Sequence, residues 1–434
     1  MKVVLLAAGE GQRLEPLTST RPKPLIKVAG KPILQFCLDA VKTACLKEVI
    51  IVTHYMGDNI REYFGDGSSQ GLKISYVEQK ELLGTGNAVM AIEPFVDDAF
   101  VLIYGDLLFE QDAVDQVLSL FEDEKPDAVI AVVGVDKPEN YGIIELADIE
   151  LANGEQLRRI VEKPEVGKAP SDMANAGLYV FTKEIFEKLG QIKESARGEW
   201  ELTDALNLLA SEGKTVLITG LSKYEWFDMG RPWDLLDANM WALKQMNTQV
   251  LGTIEQGAHL IGPVHVAKSA RIRSGAYIEG PVFIDEEADV GPNCFIRSGT
   301  SIGKKTRIGN AVEIKNSIIM DKTHIGHLSY IGDSIIGENC NFGAGTITAN
   351  LRFDNNNIKM TIKNKRIDTG RRKLGIILGD NVKTGIKTSF MPGIKIAPNT
   401  WIKANLMITH DIPNNTNTQQ QLKQQENTQP TKET

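Results

Sequence analysis

Four residues near the start of the chain, Gly9, Gly11, Arg13 and Lys23, are of the types and in the order that an anionic ligand calls for. They lie in VVLLAAGEGQRLEPLTSTRPKPLIKVAGKPI, where a short apolar run ends in a glycine-rich turn. Glycines after a strand expose backbone N–H groups to an anion with no side chain in the way. Arg13 and the proline-flanked Lys23 add two cations, which suits a triphosphate whose charge must be neutralised as it reacts. The stretch matches neither a dinucleotide-binding fingerprint, which needs glycine where Leu14 stands, nor a P-loop, which needs GK[ST].

Two carboxylates fit the same chemistry. Asp106 in LIYGDLLF directly follows an apolar strand, and Asp228 in EWFDMGRPWDLLDAN lies between aromatics and a glycine turn. Each reads either as a loop or helix-cap residue or as a Mg²⁺ ligand, since Mg²⁺ takes one or two carboxylates plus substrate phosphates. Together with Arg13 and Lys23 they make an arrangement for phosphoryl or nucleotidyl transfer. A sugar phosphate is already an anionic nucleophile, so alignment and charge neutralisation do the work and no serine or histidine nucleophile is needed.

The elements that must position these groups alternate in type. Val3–Leu6, Val49–Val52, Ile74–Val77, Phe100–Ile103 and Val129–Val133 are apolar runs of strand length, separated by helical patterns such as Ile33–Thr43, Gly86–Ile92 and Gln111–Asp123. That alternation predicts an α/β, Rossmann-like domain with a mostly parallel sheet over residues 1–245, its ligands at the carboxyl ends of the strands.

After about Met246 the period changes to six. Ile254, Leu260, Val266, Ile272, Ile278, Ile284, Val290, Ile296, Ile302, Ile308 and Ile314 are evenly spaced aliphatics, the pattern of a parallel β-helix built from hexapeptide repeats. A β-sandwich would show turn signals every 8–12 residues without strict register. The register slips after Ile314, resumes at Ile325 and Ile331, is broken by Leu351–Lys373 and returns at Ile396. The break carries Lys359, Lys363, Lys365, Arg366, Arg371, Arg372 and Lys373, either a clamp for phosphates or a solvated charged loop. Residues 246–413 are thus read as the β-helix, and the Asn/Gln/Thr-rich 414–434 as a disordered polar tail.

Composition sets further bounds. A chain of 434 residues allows two or three domains, and a net charge of −8 argues against a general nucleic-acid binder. Cys37, Cys45, Cys294 and Cys340 form no CxxC pair and read as reduced buried thiols, with no disulfide framework or zinc site. The apolar run Val3–Ala8 is too short for a signal-peptide core or a membrane span. A cytoplasmic protein with neither nucleic-acid nor membrane partners is expected.

The pieces LAAGEGQRL, PKPL, LGTGNA, YGDLLF, YGIIE, VEKP, NAGLYVF and WFDMGRP occur in order over the first 240 or so residues. This half resembles the sugar-1-phosphate nucleotidylyltransferases, the family of glucose-1-phosphate thymidylyltransferase and N-acetylglucosamine-1-phosphate uridylyltransferase. The resemblance implies that Leu6, Ala7, Ala8, Gly9 and Gln79 hold the base, with Gly11, Gly84 and Thr85 also at the nucleotide. It places Gly142, Glu162 and Asn175 on sugar hydroxyls, Lys163 on the sugar phosphate, Arg13 and Lys23 on the triphosphate, and Asp106 and Asp228 on Mg²⁺. VEKP and Asp228 resemble thymidylyltransferases and LGTGNA the uridylyltransferases, so UTP and dTTP both stay open.

The segment AVEIKNSIIMDKTHIGHLSYIGDSIIGENCNFGAGTITANL sets His324 and His327 among Lys315, Tyr330, Asn341 and Asn350. A histidine on a solenoid is either an exposed surface residue or a catalyst. The segment resembles the left-handed β-helix acetyltransferase domain of the bifunctional acetyltransferase/uridylyltransferases, in their archaeal-type form. By that resemblance His327 is the general base for transfer from acetyl-CoA to the amino group of glucosamine 1-phosphate. Arg297 and Lys315 would hold the sugar phosphate, Tyr330, Asn341 and Asn350 would orient the reactants, and a homotrimer is implied. Leu351 replaces the tyrosine of the bacterial pattern. Two other readings remain: a nucleotidylyltransferase whose β-helix only oligomerises or regulates, and a non-catalytic regulatory subunit. Arg13, Lys23, Asp106 and Asp228 argue against the second, and His327 with its polar neighbours against the first.

Overall fold

The structure, a computed structural model, describes residues 1–148 and 155–413. Contacts divide the chain into two units: Met1–Glu10, Pro22–Leu25 and Pro32–Met229 in the first, Gly11–Arg21, Ile26–Lys31 and Gly230–Thr434 in the second.

The first unit is built on a nine-stranded sheet. Its strands are β1 (Lys2–Ala7), β2 (Glu48–Thr53), β3 (Lys73–Glu78), β4 (Phe100–Tyr104), β5 (Ala128–Gly134), β6 (Gly142–Leu146), β7 (Glu155–Glu162), β8 (Met173–Phe181) and β9 (Val216–Leu221), in the order β3-β2-β1-β4-β8-β5-β9-β7-β6. The strands β3-β2-β1-β4 are parallel, as is the pair β5–β9, whereas β8 runs antiparallel between β4 and β5. Burial explains the continuous apolar runs: Val3–Leu5 and Phe100–Ile103 have no exposed surface because both sheet faces are covered. The helix Ile33–Thr43 covers one face through Leu34, Cys37, Leu38 and Val41. The helix Leu202–Ser211 covers the other through Leu202, Leu206 and Leu209.

The second unit is a parallel β-helix of three eight-stranded sheets, as the six-residue period predicts. Ile278, Ile296, Ile314 and Ile331 stack in one inward column, with comparable columns on the other two sheets. Neighbouring coils are 18 residues apart at Ile284↔Ile302 but 17 apart at Ile302↔Ile319, so one corner has lost a residue. That corner explains the slip after Ile314. Asn316, and Asp333 one coil later, turn the chain in the left-handed region (φ 45 and 49), and Ser317 and Ser334 close the turn onto the carbonyls of Lys315 and Gly332.

The break in the repeat is an insertion closed by a bridge between Leu351 and Lys373. Within it, Lys359–Ile362 and Lys365–Asp368 form an antiparallel hairpin that buries Ile358, Met360 and Ile362 and turns Lys359, Lys363, Lys365 and Arg366 outward. Arg371 leaves the basic edge and pairs with Asp237 at 2.7 Å.

Cys37, Cys294 and Cys340 are buried free thiols, but Cys45 is exposed, which corrects the expectation of four buried thiols. It lies just past the helix Ile33–Thr43 with a left-handed φ of 55, at a chain reversal on the surface. Burial raises the pKa of the Cys294 and Cys340 thiols to about 12. Among the described residues no helix is long and apolar enough to cross a membrane. The tail at 414–434 lies outside the described residues.

Candidate active sites

The glycine-rich turn begins where β1 ends. Leu6 is in register with Tyr104 of β4, and its carbonyl accepts from Gly105 N at 2.9 Å, so both strands end together. Ala7 and Ala8 are buried, while a Cβ at Gly9 would meet no atom within 4 Å. That open space contrasts with Gly84, where a Cβ would stand 2.7 Å from the Trp200 carbonyl. Gln79, at the end of β3, is buried and donates to Gly84 O at 3.2 Å and Asn87 Oδ1 at 2.9 Å. Thr85 opens the next helix and accepts from Leu202 N at 3.1 Å.

The two carboxylates that the sequence places 122 positions apart meet on one short ribbon. Leu107–Phe109 pairs antiparallel with Trp226–Asp228, Asp228 opposite Leu107, and Met229 N approaches Asp106 O at 3.4 Å. Asp106 precedes the residue opposite Asp228, so the backbones of both lie at one end of the ribbon. Lys23 is buried and its ammonium donates to Asp106. Both carboxylates are hard oxygen donors of the kind Mg²⁺ takes.

Gly11 and Arg13 belong to the second unit. Gly11 is left-handed (φ 67) and opens a 3₁₀ turn, Gln12–Leu14, that leaves the Arg13 side chain exposed. A Cβ at Gly230 would stand 3.1 Å from the Arg13 guanidinium, so glycine at 230 leaves that side chain its place.

On the far half of the sheet Gly142 of β6 pairs with Glu162 of β7, and a Cβ at 142 would reach 2.7 Å from Glu162 Oε2. Burial holds the Glu162 carboxyl above the usual glutamate range, with Arg197 and Lys163 pulling it back. Arg197 donates to Glu162 at 3.2 Å and to Glu201 at 2.5 Å. Lys163 is exposed, 3.8 Å from Glu162, with φ 46. Asn175 sits at an irregularity in β8 and donates to Tyr179 Oη at 2.7 Å, and that hydroxyl donates to Tyr104 Oη at 3.1 Å. Sequence reasoning did not single out Arg197, Tyr104 or Tyr179. The tyrosines stand inside the quoted YGDLLF and NAGLYVF, but Arg197 belongs to an aperiodic stretch with no signal.

On the β-helix, Glu313, Tyr330 and Ile347 are in register on one sheet, and Lys315 ends the strand that Glu313 begins. Asn350 donates to Tyr330 Oη at 3.1 Å and to Asp333 Oδ2 at 2.5 Å, and Lys315 pairs with the same Asp333 at 3.5 Å. Asp333 is buried and is the hub that sequence reasoning missed. Arg297, on the same sheet, pairs with Glu313 at 3.0 Å and lies 5.5 Å over the Phe295 ring. Exposed His327 ends the strand that leads into the Tyr330 corner. Asn341 is in register with His324, three residues earlier, and takes no part in the hydrogen bonds among Tyr330, Asp333 and Asn350.

Comparison with known proteins agrees with both halves. Residues 2–245 match the model of the nucleotidyl transferase family, and residues 278–412 match that of the GMPPB C-terminal domain. The bifunctional protein GlmU of Methanocaldococcus jannaschii is 47% identical over 416 residues, covering 96% of this chain and 97% of its own. A bifunctional sugar-1-phosphate nucleotidylyltransferase/acetyltransferase of Sulfurisphaera tokodaii is 40% identical over 417 residues, covering 95% and 98%. A crystal structure of UDP-glucose pyrophosphorylase with UDP-glucose is 26% identical at a TM-score of 0.51, covering 56% of this chain and 99% of that one.

Proposed function

This chain belongs to the family of bifunctional sugar-1-phosphate nucleotidylyltransferases/acetyltransferases, and from that premise we propose how its own residues divide the two reactions. Residues 1–245 carry nucleotidyl transfer and residues 246–413 carry acetyl transfer. The observation that supports both is the presence in one chain of the Lys23–Asp106 pair, with Asp228 on the ribbon that Asp106 leads into, and of the Lys315–Asp333–Asn350–Tyr330 network, whose Tyr330 follows His327 by three residues.

In nucleotidyl transfer a phosphate oxygen of the sugar 1-phosphate attacks the α-phosphorus of UTP or dTTP. The new P–O bond forms as the bond to pyrophosphate breaks, and no proton need be removed from the nucleophile. Gly9 and Gly11 admit the nucleotide, and Gln79, Gly84 and Thr85 set the base end. Gly142, Glu162, Lys163 and Asn175 hold the sugar phosphate. Arg13 and Lys23 neutralise charge on the departing pyrophosphate. Asp106 and Asp228 would hold Mg²⁺, which supplies further charge neutralisation at the phosphates.

In acetyl transfer the 2-amino nitrogen of glucosamine 1-phosphate attacks the thioester carbonyl of acetyl-CoA. The N–C bond forms, the C–S bond breaks and CoA leaves as the thiol. His327 takes the proton from the amine, a task suited to imidazole near neutral pH. Lys315 and Arg297 hold the sugar phosphate, and Tyr330, Asn341 and Asn350 orient the reactants. A homotrimer through the β-helix and a cytoplasmic location complete the reading.

The test is separation of the activities. Lys23→Ala should abolish pyrophosphate release from UTP with N-acetylglucosamine 1-phosphate while sparing thiol release from acetyl-CoA with glucosamine 1-phosphate. His327→Ala should do the reverse. Loss of both activities in either variant would sink the two-site reading.

A further inference from the structure

The inference concerns the base end of the nucleotide and rests on the assignment of Gln79 to the base. Gln79 follows β3, and all but one of its hydrogen-bonding groups are committed within the first unit. Its backbone N donates to Thr53 O at 2.9 Å, and its carbonyl accepts from His54 Nδ1 at 2.7 Å. Its side-chain Nε2 donates to Gly84 O at 3.2 Å and to Asn87 Oδ1 at 2.9 Å, which uses both amide hydrogens. Oε1 takes no hydrogen bond from a described residue, and it is not sealed from solvent although the residue is buried.

The Gly84 carbonyl decides which way round the amide sits. It can only accept, so the amide atom facing it is the nitrogen and the oxygen is turned the other way. That carbonyl is itself clamped by Trp200. Gly84 has φ 107, and a Cβ there would stand 2.7 Å from the Trp200 carbonyl. On either side of it, Trp200 N donates to Leu83 O and Gly86 N donates to Trp200 O, both at 2.7 Å. The bond to Gly84 is long for N–H···O at 3.2 Å, whereas 2.9 Å to Asn87 is an ordinary length. Asn87 therefore supplies the firmer of the two restraints. It stands half-buried in the helix Thr85–Met90, inside the quoted LGTGNA, and has no part in the assignments above.

We propose that Asn87 is a positioning residue for base choice: with the Gly84 carbonyl it holds the Gln79 amide so that Oε1 faces the base and accepts a ring N–H. Among pyrimidines, uracil and thymine carry such a hydrogen on N3, whereas N3 of cytosine is itself an acceptor. Two acceptors facing each other forfeit a hydrogen bond, so the fixed amide admits UTP or dTTP and disfavours CTP. An amide free to turn would offer Nε2 to cytosine N3, and the discrimination would shrink. In this role Asn87 acts through Gln79 rather than on the base.

The experiment uses the full chain and compares wild type, Asn87→Leu, Asn87→Asp and Gln79→Ala. Pyrophosphate release with N-acetylglucosamine 1-phosphate gives kcat and KM for the accepted nucleotide, UTP or dTTP, and the Ki of CTP as a competitor. Leucine keeps the bulk of asparagine without its acceptor. In Asn87→Leu, KM for the accepted nucleotide should rise about tenfold, the contribution of one hydrogen bond, while kcat stays near wild type and Ki for CTP holds or falls. Asn87→Asp keeps the acceptor and should retain the wild-type ratio of Ki to KM. Asn87→Ala carries the same test if leucine prevents folding. A KM at the wild-type value overturns the inference, and so does a Ki for CTP that rises along with KM, because a merely structural role would weaken both nucleotides alike. Gln79→Ala judges the premise separately. An unchanged KM there removes Gln79 from the base, whereas a raised KM there beside wild-type behaviour of Asn87→Leu strikes Asn87 alone.

Discussion

Lys23 donates its ammonium to the carboxylate of Asp106, joining two residues 83 positions apart. The lysine side chain is only 9% exposed and the aspartate 34%, so the pair has one face toward solvent. Each partner carries the charge that its own proposed ligand needs: Lys23 for phosphate, Asp106 for Mg²⁺. In this pair the two charges neutralise each other.

Replacing Lys23 with methionine removes the competing cation from Asp106 and leaves the chain length of the side chain nearly unchanged. Pyrophosphate release should fall by about 10²–10³, the usual loss for one preorganised donor at developing negative charge. Binding of Mg²⁺ without nucleotide, followed by titration calorimetry, should tighten. Weaker Mg²⁺ binding would mean that Asp106 is not its ligand.

Gly142 faces Glu162 across β6 and β7, and the nearest obstacle to a methyl group there is the flexible carboxylate end at 2.7 Å. Gly142→Ala should therefore displace the carboxylate and leave the strands in place. The expected result is a KM for the sugar 1-phosphate raised by about tenfold, equivalent to about 1.4 kcal/mol, with kcat little changed. Shortening the acid in Gly142→Ala/Glu162→Asp should restore part of the loss. An unchanged KM in the single variant would remove Glu162 from the sugar site.

Periodic features were legible because every repeat restates them. The six-residue spacing of Ile278, Ile284, Val290 and Ile296 already specifies the coils, and the slip after Ile314 marks the shortened corner at Ser317. Motif residues such as Asp106 and Asp228 were legible as types, though only strand pairing shows that they lie at one end of a ribbon. Arg197 on Glu162 and Arg21 on Asp380 were not legible. Nothing in the local pattern of a charged residue says which distant coil or strand will face it, and that depends on the register of the whole fold. Asp333 was missed for a related reason: in SYIGD it looks like a turn residue, and only the corner geometry buries it.

Glu162 also gives the stability a pH dependence. Burial raises its carboxyl pKa in the folded state, against the pull of Arg197 and Lys163. An acid raised on folding favours the folded state fully below its unfolded value, and that contribution is lost as pH rises through the folded value. Glu162→Gln keeps the shape without the titration, and Arg197 retains Glu201 at 2.5 Å. The melting temperature of the variant relative to wild type should therefore rise as pH climbs from the glutamate range toward neutrality. A difference that falls over that window would contradict the sign.

Asp333 joins Lys315 and Asn350 in the acetyl-transfer half, the first at 3.5 Å and the second at 2.5 Å. Its other oxygen accepts from Asn316 at 2.8 Å, at the shortened corner itself. One buried carboxylate thus ties the proposed phosphate-holding lysine to the asparagine that reaches Tyr330. Asp333→Asn removes the charge facing Lys315 but leaves an acceptor for one amide, so the coil should still fold. The ammonium of Lys315 then loses its anchor, and the amide of Asn350 can meet the new amide donor nitrogen instead of an acceptor. Thiol release should fall about 10- to 100-fold, the range seen when supporting groups behind ligands are lost, and KM for glucosamine 1-phosphate should rise with it. Pyrophosphate release should keep its wild-type rate. Equal loss of both activities would show that Asp333 supports the coil as a whole, and the hub would then have no special tie to acetyl transfer.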